Sequence, residues 1–214
     1  MKISCLGHAA FFLETEQGST LLTDPYQSGA YSGAVKYKPI ELQPDLVCVS
    51  HSHADHAYTD PFTQAKIIDS TGKFEYKDLI IKGLPSFHDQ NQGRDRGPNI
   101  IFKIKADGIT LVHFGDLGTL DIDYESIGRP DIALVPVGGT FTLNAAEATE
   151  LIDKIKPLIT IPMHYKTDKL DFDIDRVTSF LAKKEAVMKN RKCVGVTKNT
   201  LPRDPMIIVL DPLY

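Results

Sequence analysis

The pattern of hydrophobic and polar positions along the first two thirds of the chain predicts a series of short β-strands. Apolar runs rich in Val, Ile, Leu and Phe are bounded by turn residues, as in strands covered on one or both faces. These runs are KISCL, AFFLE, TLLTD, LVCVS, AKIID, LIIKGL, NIIFKI, ITLVHF and DIALVPV. A further strand is predicted near the C-terminus, in PRDPMIIVLDPLY.

Helical periodicity appears only in the last third of the chain. The stretch NAAEATELIDKI predicts a helix with Asn144 as N-cap, and Glu147 three residues later completes a capping-box pattern. This helix is expected to end before Pro157. A second amphipathic helix is predicted over residues 173–190, DIDRVTSFLAKKEAVMKN. Mixed strands and helices indicate the α/β (α+β) class with covered sheets.

Two segments of the chain resemble each other. FFLETEQGSTLLTD and IFKIKADGITLVHFGD both read as strand, glycine turn, strand and terminal aspartate. An internal duplication would explain this and would give two similar sheets packed face to face. Hairpins with a glycine turn are also common enough for the similarity to arise by chance. No linker-like tract separates the segments, so a single domain over residues 1–214 is predicted.

Composition narrows the partners and the compartment. The 214 residues are 42% hydrophobic and 24% charged, which is typical of soluble globular proteins. A net charge of −4 gives no reason to expect nucleic acid as a partner. No apolar run is long enough for a membrane span or a signal peptide. The three cysteines are widely spaced and form no CxxC, which argues against a disulfide framework. A cytoplasmic protein is therefore expected.

The motif HSHADH follows the predicted strand LVCVS and contains three of the seven histidines. Alternate residues of a strand share a face, so His51 and His53 are expected to chelate one ion. Asp55 and His56 would then project from the following turn toward a second position. Imidazole nitrogen and carboxylate oxygen suit zinc and its borderline neighbours. The cluster therefore predicts a metal site.

Three more candidate ligands, His88, Asp116 and His164, each follow an apolar run. The ends of strands are where an α/β sheet presents its functional residues. Taken singly, such a residue is more often a cap or a hydrogen-bonded core group. Together with the HSHADH cluster, the three complete what two metal ions need when a carboxylate bridges them.

The order of HxHxDH, a loop histidine, a GD after a strand and a late PMHY resembles the metallo-β-lactamase superfamily. More narrowly, the chain resembles the small metal-dependent hydrolases of the ascorbate-6-phosphate lactonase-like branch. The blocks that carry this resemblance are LGHAAFFLE, LLTDP, VSHSHADH, FHDQNQGRDRGPN, HFGDLG, VPVGGTFT and IPMHY. The resemblance implies a four-layer αββα sandwich with a two-metal site at one edge of the sheets.

The resemblance also implies a distribution of ligands. His51, His53 and His88 would hold metal one, while Asp55, His56 and His164 would hold metal two. Asp116 would bridge the two divalent ions, for which zinc is expected first and manganese, nickel or iron are alternatives.

Departures from known branches narrow the chemistry. Asp116 stands where zinc β-lactamases have cysteine, which argues against antibiotic hydrolysis. His53 stands where the redox-active diiron branch has glutamate. We therefore expect a binuclear hydrolase in which a metal-bridged hydroxide attacks a phosphoester, lactone or similar ester, with Asp55 as ligand and catalytic residue. The alternatives are a metal-dependent oxidoreductase and a non-catalytic metal-binding protein, the latter disfavoured because all seven ligand positions are present.

Six further residues have two interpretations each. Asp24 and His113 would fix imidazole tautomers or would be packed polar groups. His8 would donate a proton at the edge of the site or make a structural hydrogen bond. Cations near the site would bind an anionic group of a small-molecule substrate, or would be solvated charges or partners of Asp95. These cations are Arg94, Arg96 and Lys166.

Overall fold

Two β-sheets form the centre of the computed structural model, which describes residues 1–182, 184–185 and 187–214. The strands are β1 Lys2–Gly7, β2 Ala10–Glu14, β3 Thr20–Thr23, β4 Leu46–Cys48, β5 Lys66–Ile68, β6 Gly72–Tyr76, β7 Leu79–Phe87, β8 Pro98–Ala106, β9 Ile109–His113, β10 Ile132–Pro136, β11 Ile159–Met163, β12 Val187–Arg191, β13 Cys193–Gly195 and β14 Met206–Leu210. The helices are α1 Ala30–Gly33, α2 Tyr124–Ile127, α3 Ala145–Ile155 and α4 Val177–Leu181.

The two sheets repeat the same pairing pattern. The six-stranded sheet has the order β13-β1-β2-β3-β4-β5, and the eight-stranded sheet has the order β12-β14-β11-β10-β9-β8-β7-β6. From β1 to β5 the pairings are antiparallel, antiparallel, parallel and parallel, and the same sequence runs from β7 to β11. The two similar segments of the chain form β2–β3 and β8–β9, which are equivalent hairpins. This correspondence supports the internal duplication.

The main core lies between the sheets. Alternate residues of both sheets point inward, and Phe11, Leu46, Phe102 and Leu134 are fully buried there. Cys5 and Cys48 belong to the same core as free thiols. The predicted face-to-face sandwich is therefore confirmed.

Different structures cover the outer faces of the sandwich. Helix α3 buries Ala148, Leu151 and Ile155 against the eight-stranded sheet, together with Phe180 of α4. The outer face of the six-stranded sheet is covered mainly by loop residues such as Tyr26, which belongs to a separate buried cluster. Among the described residues, none of the helices has both the length and the apolar composition needed to cross a membrane.

The capping box of α3 is confirmed. The Asn144 side chain accepts hydrogen bonds from the backbone N–H groups of Ala146 and Glu147, at 2.9 and 3.0 Å. The Glu147 carboxylate accepts in return from the Asn144 N–H at 2.9 Å. These bonds satisfy donors at the helix N-terminus that have no partner within the helix.

The prediction of one long helix over residues 173–190 is wrong. Helix α4 covers only Val177–Leu181, and Val187–Arg191 forms strand β12. Residues 183 and 186 of the predicted helix lie outside the described residues. The sequence KKEAVMKN favours a helix by local propensity, but β12 pairs in parallel with β14, with Val187 opposite Ile207. Pairing with the sheet overrides a weak local preference.

Candidate metal centre

The candidate ligands meet at one edge of the sandwich, beyond the carboxyl ends of four strands. His51–His56 follow β4, His88 follows β7, Asp116 follows β9 and His164 follows β11. The HSHADH segment itself consists of bends and turns, since β4 ends at Cys48. The expectation that His51 and His53 share a strand face was therefore wrong. Their rings nevertheless lie 4.7 Å apart, because the turn brings them together.

Four imidazole rings converge on one carboxylate oxygen, Oδ2 of Asp116. The Nε2 atoms lie at 3.1 Å (His164), 3.2 Å (His88), 3.3 Å (His56) and 3.7 Å (His51). All five side chains are buried, and that of Asp116 is 3% exposed. A carboxylate among so many ligand atoms is in the position that a bridging ligand would occupy.

The ligand atoms fall into two main groups whose members lie within 4.8 Å of one another. One group is His51, His53 and His88, and the other is His8, Asp55, His56 and His164. A third group, Asp24, His51 and His56, shares its histidines with these two. The two main groups agree with the division into two metal positions that the resemblance implied, with His8 added to the second.

The donor set fits divalent metal ions. Buried polar atoms are almost always hydrogen-bonded in folded proteins. Within the described residues, His51 Nε2, His56 Nε2 and Asp116 Oδ1 are buried without such a partner. Imidazole nitrogens and carboxylate oxygens with free lone pairs in one cluster are the ligands that zinc and its neighbours bind.

The protonation states of His8, His51 and Asp116 also favour metal binding. Burial, with the nearby His56, lowers the pKa of His51 to about 3. Burial, with the nearby His164, lowers the pKa of His8 to about 4. Burial alone would raise the pKa of Asp116, but the neighbouring His164 and His56 hold it well below its usual range. Burial alone would lower the pKa of His56, but the carboxylates of Asp116 and Asp55 hold it well above its usual range. Neutral imidazoles and ionised carboxylates are the forms that bind metal, so His56 releases its proton when metal binds.

Asp24 lies directly behind the ligands. Its carboxylate Oδ2 is 3.0 Å from His56 Nδ1, so it can fix the tautomer that leaves Nε2 facing the cluster. Asp24 also accepts hydrogen bonds from the backbone N–H and hydroxyl of Ser50, and that hydroxyl lies 2.9 Å from His51 Nδ1. The backbone φ of Asp24 is +42°, a left-handed value that costs free energy for a non-glycine residue.

His113 is placed differently. Its Nε2 lies 3.0 Å from the carbonyl oxygen of Ala9, and its Nδ1 accepts from the N–H of Gly115 at 3.0 Å. Both ring nitrogens are therefore used by the backbone, and Asp24 is 4.0 Å away. The geometry favours the packed polar group for His113.

Two side chains hold the carboxylate of Asp55. His8 Nε2 lies 3.1 Å from Oδ2, and the Tyr31 hydroxyl donates to Oδ1 at 3.1 Å. Burial alone would raise the pKa of Asp55, but the adjacent His56 and the bonds from His56 and His8 keep it far below its usual range. Asp55 is thus ionised and fixed in orientation.

The loop after β7 is organised by Asp89. The carboxylate accepts hydrogen bonds from four backbone N–H groups at 2.7 to 3.1 Å. The donors are Asn91, Gly93, Asp95 and Arg96. Asp95 accepts instead from the Asn91 amide at 2.5 Å. The expected alternative of an Asp95–arginine pair that holds the loop is therefore wrong.

The three candidate substrate-binding cations lie in different places. Arg96 is exposed in the cleft and its guanidinium lies 5.5 Å from the Phe141 ring centroid. Arg94 is exposed and is not among the residues that line this cleft. Lys166 donates to the Phe172 carbonyl at 2.6 Å and lies 3.3 Å from the Asp171 carboxylate. Lys166 therefore stabilises a loop, and only Arg96 faces the space above the ligands.

This space is a cleft of about 570 Å³ that ends on the candidate ligands. Its lining combines candidate ligands, three aromatic rings, one arginine, one alanine and two further aspartates. The lining residues are Tyr31, Ala34, His53, Asp55, His88, Arg96, Asp116, Phe141, His164, Asp171, Phe172 and Asp173. A volume of this size suits a small molecule.

Comparison with known proteins agrees with this geometry. Residues 2–164 match the model of the β-lactamase superfamily domain. The chain belongs to the metallo-β-lactamase superfamily.

Several relatives within this superfamily cover most of the chain. A UPF0173 metal-dependent hydrolase of Thermococcus kodakarensis is 32% identical over 78% of this chain and 85% of its own. A UPF0173 metal-dependent hydrolase of Thermoplasma acidophilum is 34% identical over 82% of this chain and 86% of its own. The crystal structure of a candidate Zn-dependent hydrolase of the metallo-β-lactamase superfamily from Thermotoga maritima superimposes with a TM-score of 0.79. That structure is 32% identical and covers 98% of this chain and 97% of its own. The narrower ascorbate-6-phosphate lactonase-like branch stays a prediction.

Sequence reasoning missed several residues that shape this candidate site. Asn99 accepts from the Asp116 N–H at 2.9 Å and donates to Ser86 Oγ and the Phe114 carbonyl, so it fixes the backbone of the central carboxylate. Tyr31 and Phe172 reach the site from distant segments. No motif marks them, because their positions depend on how the loops pack.

Proposed function

We propose that the protein is a binuclear metal-dependent hydrolase that cleaves a phosphoester, lactone or similar ester in a small anionic substrate. The observation that supports this best is the convergence of four imidazoles on Asp116 at the base of the cleft. The relatives named metal-dependent hydrolases support it as well.

The proposed ligands follow the two groups of the structure. His51, His53 and His88 would hold one divalent ion, zinc being the first expectation. Asp55, His56 and His164 would hold the other, with Asp116 between the two. When bound, two such ions lower the pKa of water and stabilise the negative charge that develops during hydrolysis.

Asp55 contributes in two ways. Its ionised carboxylate would bind metal, and it would also accept a hydrogen bond from the attacking water and so orient it. Tyr31 and His8 hold the two carboxylate oxygens in place, which preserves this orientation. Asp55 is thus the proposed catalytic residue.

Arg96 supports the anionic character of the substrate. Its guanidinium lines the cleft, and within the described residues it has no carboxylate partner at ion-pair distance. An arginine fork binds carboxylate or phosphate with two parallel hydrogen bonds. Such a contact would place the scissile bond above the ligands.

The test is an activity screen of metal-loaded protein against phosphodiesters, lactones, thioesters and amides, with anionic and neutral versions of each reactive compound. We expect hydrolysis of at least one ester class, and a kcat/KM for the anionic version that falls about 10- to 150-fold in Arg96→Gln. Arg94→Gln is the matched control from the same loop, and it should change either rate less than about fivefold.

Two outcomes would overturn the proposal. Oxygen consumption without hydrolysis would favour the oxidoreductase alternative. Equal losses of kcat/KM on the anionic and neutral compounds in Arg96→Gln would contradict the proposal that the substrate is anionic.

A further inference from the structure

Three aromatic side chains from separate segments meet on one side of the cleft. Tyr31 comes from helix α1, Phe141 from the loop after β10 and Phe172 from the loop after β11. Phe172 is central: its ring centroid lies 5.5 Å from that of Tyr31 and 6.3 Å from that of Phe141, both edge-on. We call these three residues the aromatic wall.

The aromatic wall adjoins the candidate metal ligands directly. The Phe172 ring lies 5.8 Å from the ring of His8, edge-on at 82°. The Tyr31 hydroxyl reaches Asp55. A group that rests on the wall would therefore be next to the residues proposed to carry the chemistry.

Hydrogen bonds to backbone carbonyls hold the Phe172 loop of the aromatic wall in position. The N–H of Asp171 donates to the Ala34 carbonyl at 2.8 Å, which ties the Phe172 loop to the segment after Tyr31. The Lys166 ammonium donates to the Phe172 carbonyl at 2.6 Å. The wall is thus built before any substrate arrives, and a preorganised surface binds with a smaller loss of entropy.

The aromatic wall remains partly open to water. Tyr31 is 50% exposed, and Phe141 and Phe172 are only partly buried. Aromatic rings gain free energy when another flat apolar group covers them, and edge-on or offset pairs add to the burial of area. The position of Arg96 over the Phe141 ring places a cation at one end of the same surface.

We infer that the substrate carries a flat apolar group, such as an aryl ring, next to its anionic group, and that the aromatic wall binds the flat group. This inference rests on the proposed function, because it assigns the wall to the substrate of the same site. It narrows the substrate class from small anionic esters to aryl-bearing ones.

The test measures binding separately from turnover. Protein purified without chelator is titrated calorimetrically with phenylacetate, cyclohexylacetate and phenylacetamide. The first two have the same charge but a flat aromatic or a puckered aliphatic ring, and the third keeps the aromatic ring without the charge. We expect phenylacetate to bind about 2- to 12-fold more tightly than cyclohexylacetate, from the usual free energy of an aromatic pair. Phenylacetamide should bind more weakly than phenylacetate, since it lacks the charge that Arg96 would contact.

Two variants locate this preference. Phe172→Leu should remove the preference for the aryl acid. Phe141→Leu should reduce this preference, and it replaces the first variant in the test if Phe172→Leu folds poorly. Phe74→Leu is the control, because Phe74 lies in β6 and packs against the central core, away from the cleft. Equal affinity of the wild type for both acids, failure of all three compounds to bind, or an unchanged preference in both wall variants would contradict the inference.

The results separate this inference from the proposed function. Ester hydrolysis by a protein without an aryl preference would overturn the inference and leave the proposed function standing. An aryl preference that depends on Phe172, in a protein that hydrolyses no ester, would overturn the proposed function and leave standing only the binding of a flat group by the aromatic wall.

Discussion

At the scale of single residues, the positions of the candidate ligands are set by contacts that lie behind them. Asn99 holds the backbone of Asp116, and Asp24 faces the ring nitrogen of His56 that points away from the cluster. Three residues of the site adopt left-handed backbone angles, +55° at His8, +42° at Asp24 and +52° at His164. Such strain persists only where the surrounding structure imposes it, and it is frequent at functional sites.

Asp55 is the residue whose replacement should separate chemistry from folding. In Asp55→Asn, kcat/KM should fall about 10²- to 10⁴-fold, because the amide cannot act as the ionised acceptor. The side chain keeps its size, so no cavity forms and the variant should still unfold cooperatively. Its melting temperature should be lower than that of the wild type, because the amide loses the charge that His8 and His56 stabilise. Enzyme kinetics and thermal unfolding of the two proteins check this.

The control for Asp55 is Asp60→Asn, an exposed position a few residues later in the same segment. It should leave both quantities unchanged. A large loss of thermal stability in Asp55→Asn, with unchanged activity per folded molecule, would make Asp55 a structural residue instead.

At the scale of elements, the loop after β7 depends on one carboxylate. Burial alone would raise the pKa of Asp89, but the hydrogen bonds from backbone N–H groups lower this pKa. The carboxylate is therefore ionised at neutral pH. In Asp89→Ala, amide exchange in residues 91–96 should accelerate about tenfold or more, because four N–H groups lose their acceptor. Hydrogen exchange followed by mass spectrometry checks this.

Asp95→Ala is the matched control for that loop, since in the described part of the chain the Asp95 side chain accepts from the Asn91 side-chain amide and not from the loop backbone. Its exchange should stay close to that of the wild type. Equal acceleration in both variants would show that Asp89 has no special part in the loop.

The sequence predicted elements well where local signals and packing agree. The strands with apolar runs and the capping box at Asn144 are of this kind, since the same residues that favour the element also bury its inner face. Local signals failed in residues 187–190, the end of the predicted helix, which form a strand because they pair with β14. Strand β6 also went unnoticed, since its residues are mostly exposed and lack an apolar run.

The candidate site was predictable to the extent that residue type alone determines it. Histidines and aspartates that follow apolar runs could be found in the sequence, and the structure brings them together. The aromatic wall could not be found, because Tyr31, Phe141 and Phe172 meet only through the packing of three loops. The choice of Arg96 over Arg94 likewise depends on which way the loop turns at Asp89.

At the scale of the whole molecule, two similar sheets share one core and bring their strand ends to one edge. The first sheet supplies the HSHADH segment, and the second supplies His88, Asp116 and His164. Neither sheet alone holds all the candidate ligands, so a two-metal site would form only when both are packed together. Metal binding and folding should therefore be coupled.

The most direct test of the proposed binuclear site is the metal content of the protein prepared without chelator. Elemental analysis should find up to two transition-metal ions per chain in the wild type. His51→Ala/His53→Ala should bind about one fewer, because it removes two of the three histidines proposed for one ion and leaves only His88 and the shared Asp116. Arg94→Gln, the surface control, should match the wild type. Equal metal content in the wild type and in His51→Ala/His53→Ala would contradict the assignment.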